Sequence, residues 1–83
     1  MFLKRLKDIR EDHDLLQKQV AIFLGITRQQ YSLYETGERQ LPIDKLYMLA
    51  KFYNTSADYL LGLTDETKPY PNGKDSGNKE NNK

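Results

Sequence analysis

Three side chains in a row, Arg28, Gln29 and Gln30, form a run of hydrogen-bonding groups. They follow Thr27 and open the second of two short helices, within the stretch LLQKQVAIFLGITRQQYSLYETGER at residues 15–39. A tight turn at Gly25 joins the two helices. A helix that begins with polar side chains able to reach outward can push its N-terminal end into the major groove of DNA. Other chemistry has far less support. His13 is the sole histidine and sits among Glu11, Asp12 and Asp14. That group occupies a helix end and a loop, with no second His and no Cys to complete a metal site. No nucleophile triad and no phosphate-cradling glycine loop is present, so no enzymatic activity, metal or cofactor is expected.

The elements that must position Arg28 and Gln29 read as helices throughout. Leu3, Leu6, Ile9 and Arg10 share one face at helical spacing, which predicts a first helix over about 2–12. Asp14, Leu15 and Leu16 form a loop. The second helix covers 17–24, with Val20, Ala21 and Leu24 facing inward. Gly25 can end it in a positive-φ conformation. Thr27 is a suitable N-cap for a third helix over 28–36, with Tyr31 and Tyr34 inside. Gly37 ends that helix by the same logic. Leu41-Pro42 opens a fourth helix over 43–53, Pro being favoured at a helix start. Its inner face is Leu46, Leu49, Ala50 and Tyr53. Ser56 caps a short fifth helix, Ala57–Leu61. No strand signal and no internal repeat is present.

Composition sets the frame. The 83 residues allow one domain, and a hydrophobic content of 37% supports one small core. There is no cysteine, which removes disulfides and thiolate metal sites. The N-terminus MFLKRLKDIR lacks the apolar run of a signal peptide. No stretch approaches the ~18 apolar residues of a membrane span. A soluble, cytoplasmic protein is the expectation. The net charge is only +1, so a basic DNA-facing surface must come from how charge is distributed. The acids Asp8, Glu11, Asp12 and Asp14 gather in and after the first helix. Arg28 and Arg39 bracket the third helix, and Lys18 starts the one before.

Composition changes at residue 64. The segment 64–83, TDETKPYPNGKDSGNKENNK, has one aromatic residue and no aliphatic one. It cannot bury enough apolar area to offset its ordering entropy. It is expected to be a disordered polar tail, with charges that cancel, following a folded domain over 1–63. No second folded domain is expected, and hence no self-cleaving or ligand-sensing module.

Three sets of residues together carry a family pattern: Gln17-x-x-Val20-Ala21-x-x-Leu24-Gly25-Ile26-Thr27, then Tyr31-x-x-Tyr34-Glu35-x-Gly37, then Pro42-x-x-x-Leu46-x-x-Leu49-Ala50. The chain resembles the Cro/CI-type helix-turn-helix (XRE) family over about residues 3–63, in the manner of a short prophage-repressor-like member. The closing run Asn54–Gly62 looks like the fifth-helix ending of short bacterial and prophage regulators. The resemblance implies an all-α, five-helix bundle of the phage-repressor DNA-binding type, with the motif formed by helices 2 and 3.

It also implies roles. Gln17, at the start of helix 2, would bind a DNA phosphate. The family often has Ser or Thr just before this position as N-cap, and this chain has Leu16, so either Asp14 caps or the helix starts weakly. Arg28 and Gln29 would read bases, since Arg suits guanine O6/N7 and Gln suits adenine N6/N7. Arg28 on a phosphate alone is the alternative. Ser32 and Leu33 lie on the same exposed side; Leu33 meets a thymine methyl or nothing. Gln30, Lys18, Arg39 and Gln40 would contact phosphates, with Glu38 pointing away. Arg10 and Glu35 would form a structural ion pair between helix 1 and the recognition helix.

Family members usually dimerise and place two recognition helices one DNA turn apart, ~34 Å. Leu60 is expected inside, leaving Tyr59, Leu61 and Leu63 for a homodimer contact. The resulting expectation is a sequence-specific transcriptional repressor on an inverted-repeat operator in double-stranded DNA, with no membrane or small-molecule partner. The alternative is a protein-interaction module, such as an antitoxin or adaptor, using the same fold without reading DNA.

Overall fold

The computed structural model describes residues 1–70. Five helices follow one another: α1 (Lys4–Asp12), α2 (Gln17–Leu24), α3 (Arg28–Thr36), α4 (Ile43–Phe52) and α5 (Ala57–Leu61). No strand occurs among the described residues. The core is where the periodicity places it. Leu6, Val20, Tyr31, Leu49 and Leu60 are fully enclosed, and Leu3, Ile9, Ala21, Leu24, Tyr34, Ala50 and Tyr53 complete it. Each helix contributes one stripe to that core and leaves the rest to solvent, the pattern of an amphipathic helix.

Two helix boundaries differ from the expectation. α1 starts at Lys4 rather than residue 2, because Leu3 occupies the N-cap without a capping side chain and is itself buried. α4 ends at Phe52, with Tyr53 as its C-cap and Asn54 in the left-handed region at φ 54°. Asn is among the few side chains that visit this region readily.

Gly25 and Gly37 end α2 and α3 at φ 74° and 83°. The two positions differ in their surroundings. A Cβ on Gly25 would meet nothing within 4 Å, whereas one on Gly37 would lie 3.1 Å from the Phe2 Cα. Gly37 therefore serves conformation and also lets the N-terminal segment lie across the end of the recognition helix. Gly37→Ala is expected to cost about 1–3 kcal/mol from backbone strain, and more than Gly25→Ala because a backbone contact must also shift. Urea unfolding followed by far-UV circular dichroism measures both; equal losses would show that the Phe2 contact is immaterial.

The chain beyond residue 63 stays on the domain as far as it is described. Arg5 donates to the carbonyls of Tyr59 and Thr64 and pairs with Asp65. The Thr55 hydroxyl donates to the Thr67 carbonyl, and the Tyr70 hydroxyl to Asp58. These polar anchors hold residues 64–70 without any aliphatic side chain, a route that composition does not disclose. The remainder of the expected tail, 71–83, lies outside the described residues. Among the described residues no helix is long and apolar enough to cross a membrane.

Candidate nucleic-acid interface

α3 begins with a complete capping box. The Gln30 N–H donates to Thr27 Oγ1 at 3.0 Å, and the Thr27 N–H donates to Gln30 Oε1 at 3.0 Å. Two otherwise orphaned donors are thereby satisfied, which fixes the first turn of the helix. Gln30, expected on a phosphate, thus spends its side-chain oxygen on the cap, and only its amide N–H groups remain to reach outward.

Arg28 and Gln29 are exposed on that first turn, and Ser32 and Leu33 are half-buried one turn further on. The Ser32 hydroxyl donates to the Gln29 carbonyl at 2.9 Å, so toward a base it can act only as an acceptor. Thr36 continues the same stripe and is exposed. Its spacing from Ser32 and Leu33 is helical, so the same periodicity is the sequence signal that marks it as part of this surface.

The start of α2 corrects one expectation. Asp14 does not cap it. Asp14 lies at φ 56°, two positions before the N-cap Leu16, too early to meet the first helical N–H groups. The helix is held by the Gln19 side chain, whose Oε1 accepts from the Leu16 N–H at 2.7 Å. Leu16 has no side-chain acceptor, so only this half of a capping box forms.

Gln17 is committed differently from the family expectation. Its Nε2 donates to Glu35 Oε1 at 3.0 Å. Glu35 also accepts from Arg10 Nε at 2.6 Å and from Arg10 Nη2 at 3.2 Å. Arg10 Nη1 donates to the Leu15 carbonyl at 2.8 Å. Arg10 and Glu35 are 8% and 6% exposed, so this is a buried ion pair, and it binds α1, the α1–α2 loop, α2 and α3 together. Burial disfavours the Glu35 carboxylate, but hydrogen bonds led by Arg10 outweigh it and hold its pKa below the ordinary range. Two buried phenols stand over the pair. Burial, and then the neighbouring Glu35, push the Tyr31 hydroxyl up, and burial pushes Tyr53 up to about 12. Neither hydroxyl has a partner at hydrogen-bonding geometry.

Charge is sorted across the molecule. Lys4, Arg5, Arg10 and Lys45 are paired with acids. Lys18, Arg28 and Arg39 are exposed and have no ion-pair partner among the described residues. Lys7, Lys51 and Lys68 are likewise exposed without an ion-pair partner among the described residues, so what α3 has is uncommitted cations at both its ends rather than a monopoly of them. Gln40 and Glu38 are exposed in the loop after α3, and the Arg39 N–H is taken by the Leu33 carbonyl at 3.1 Å. That leaves the Arg39 guanidinium, rather than its backbone, free for a phosphate.

The remaining expected residues fall elsewhere. His13 Nδ1 lies 2.9 Å from the Ile9 carbonyl and its ring 5.0 Å from that of Tyr53. Tyr59 is half-buried beneath the Arg5 guanidinium, 4.2 Å from the ring centroid. Leu61 packs against the core, and Leu63 is 72% exposed.

Two tightly joined helices, the second presenting Arg28 and Gln29 and flanked by free cations, define a helix-turn-helix protein. The model of the Helix-turn-helix family (HTH_3) matches residues 6–60, and the chain belongs to that family, in its XRE branch. It is 42% identical over 69 residues to the uncharacterized HTH-type transcriptional regulator YobD of Bacillus subtilis, covering 83% of this chain and 62% of that protein. It is 36% identical over 53 residues to the cryptic phage CTXphi transcriptional repressor RstR of Vibrio cholerae, covering 64% of this chain and 48% of that one. A solved transcriptional regulator from Listeria innocua superposes with a TM-score of 0.71 at 30% identity, over 81% of this chain and 63% of that one. The chain thus spans about half to three fifths of the length of these relatives. Family membership gives this chain the helix-turn-helix that its relatives, named as transcriptional regulators, also carry.

Proposed function

We propose that this chain recognises an inverted-repeat operator as a homodimer and represses transcription by covering a promoter. The observation that carries the reading is the exposed pair Arg28 and Gln29, with half-buried Leu33 one turn on, on a helix whose first turn is locked by its own capping box. Arg28 and Gln29 address base edges, Leu33 offers a methyl-sized apolar contact, and Ser32 accepts. Gln17, Lys18, Gln30, Arg39 and Gln40 hold the phosphates, which set register but carry no sequence information. Likeness to a phage repressor supports the direction of regulation.

For the dimer, Leu63 is open and Leu61 lines a groove of about 480 Å³ with Leu3, Leu46 and Ile43, the last 83% exposed. Tyr59 contributes less, because Arg5 covers it.

Selection of bound duplexes from a random pool at ~150 mM salt, with the chain and with Gln29→Ala, tests the reading. The expected result is an enriched inverted repeat whose preference relaxes at one base per half-site in the variant, at a cost of about 1–3 kcal/mol per lost bidentate contact. Sedimentation should show a species heavier than the 9.7 kDa monomer. No enrichment, with a weak association that salt abolishes, would overturn sequence-specific reading and leave the protein-interaction role.

A further inference from the structure

α1 supplies more than the scaffold. Lys7 projects from it into a depression of about 380 Å³ shared with Phe2, Arg10, Gln17, Glu35 and Thr36, between α1, the start of α2 and the end of α3. The other three cations of α1 are committed: Lys4 to Asp8 at 2.7 Å, Arg5 to Asp65 at 2.5 Å, and Arg10 to Glu35 at 2.6 Å. Lys7 is exposed and has no ion-pair partner among the described residues, although Glu11 stands one helical turn away. The one acid lining the depression, Glu35, is already met by Arg10. The net charge of the depression is therefore that of Lys7. Gln17 adds a neutral donor, because an amide has two N–H groups and only one goes to Glu35. Thr36 lies on the exposed stripe of α3, so the depression opens beside the surface that carries Gln29 and Leu33.

We propose that Lys7 is a further DNA-positioning residue, whose ammonium meets a backbone phosphate at this depression. The proposal rests on the DNA-binding reading above. An ammonium acts there as a point charge with no base preference. Each neutralised phosphate releases a counterion and adds about 0.9 to the steepness of the dependence of log K on log salt. Removing Lys7 therefore lowers the affinity for every sequence alike.

The test is binding of a mixed-sequence duplex by Lys7→Gln across a salt series. Arg39→Gln and Lys51→Gln, the latter on α4 away from α3, run in parallel, and thermal melts confirm that each variant folds. Lys7→Gln is expected to weaken binding roughly tenfold at low salt and to flatten the salt slope by about one unit per bound copy, as Arg39→Gln does, with Lys51→Gln matching the parent. A slope unchanged in Lys7→Gln but reduced in Arg39→Gln overturns the role of Lys7 alone. If the parent chain itself shows no salt-dependent binding, the DNA-binding reading fails and this proposal with it.

Discussion

Arg10→Met is expected to destabilise the domain by about 3–5 kcal/mol, the cost of leaving one member of a buried ion pair without its partner. Glu35 would remain enclosed at 6% exposure, with only the Gln17 amide to meet its charge. A small domain holds about 5–15 kcal/mol in total, so much of the margin disappears. Urea unfolding of Arg10→Met, Glu35→Leu and the double variant separates the causes. The double variant should be more stable than the sum of the two single losses implies, because an apolar pair in place of a buried ion pair is often nearly neutral. Strictly additive losses would show that Arg10 and Glu35 act independently.

The same pair sets a pH dependence. The folded Glu35 pKa is depressed relative to the unfolded chain. Its contribution is therefore fully present above the unfolded carboxylate value of about 4.3 and is lost as pH falls through the lower, folded value. Glu35→Gln should flatten the acid limb of the stability curve below about pH 4.3. An acid limb identical to the parent's would place the sensitivity in other carboxylates.

Arg28→Ala carries the largest expected effect on DNA binding. A bidentate contact to guanine is worth about 1–3 kcal/mol, or roughly 5- to 150-fold at 1.4 kcal/mol per decade. A dimer loses it in both half-sites. Fluorescence anisotropy on the selected duplex, and on versions substituted at each half-site position, reads the loss directly. The variant should become indifferent to one base pair per half-site. Retained discrimination at every position, with a salt slope lower by about one per half-site, would instead make Arg28 a phosphate ligand.

Local features were legible, and among non-local ones the Arg10–Glu35 pair was, through the family resemblance. Helices α2 and α3 fell where the spacing of Val20, Ala21, Leu24, Tyr31 and Tyr34 put them, because helical periodicity is a property of neighbouring residues. Gly25 and Gly37 marked their ends for a conformational reason that holds in any context. The Thr27-x-x-Gln30 box was also readable, since both partners lie within one turn, yet Gln30 was assigned outward. Between the two readings of the α2 start, Asp14 as cap or a weak start, sequence could not choose, because proximity along the chain does not show that Asp14 falls two positions before the N-cap Leu16 at φ 56°.

The amino-acid sequence by itself determined the helical class, the order of the five helices, the buried stripes and the family, since these follow from periodicity, caps and a motif spread over adjacent elements. The side to which each polar group gives its hydrogen bonds was decided by tertiary structure alone. Gln17 bonds Glu35, Arg5 covers Tyr59 and holds residues 64–65, and Lys7 is left unpaired beside α3. Each of these outcomes depends on groups that are distant along the chain and meet only when the helices pack. A donor satisfied within the fold and one left for a ligand look identical until that packing is in place.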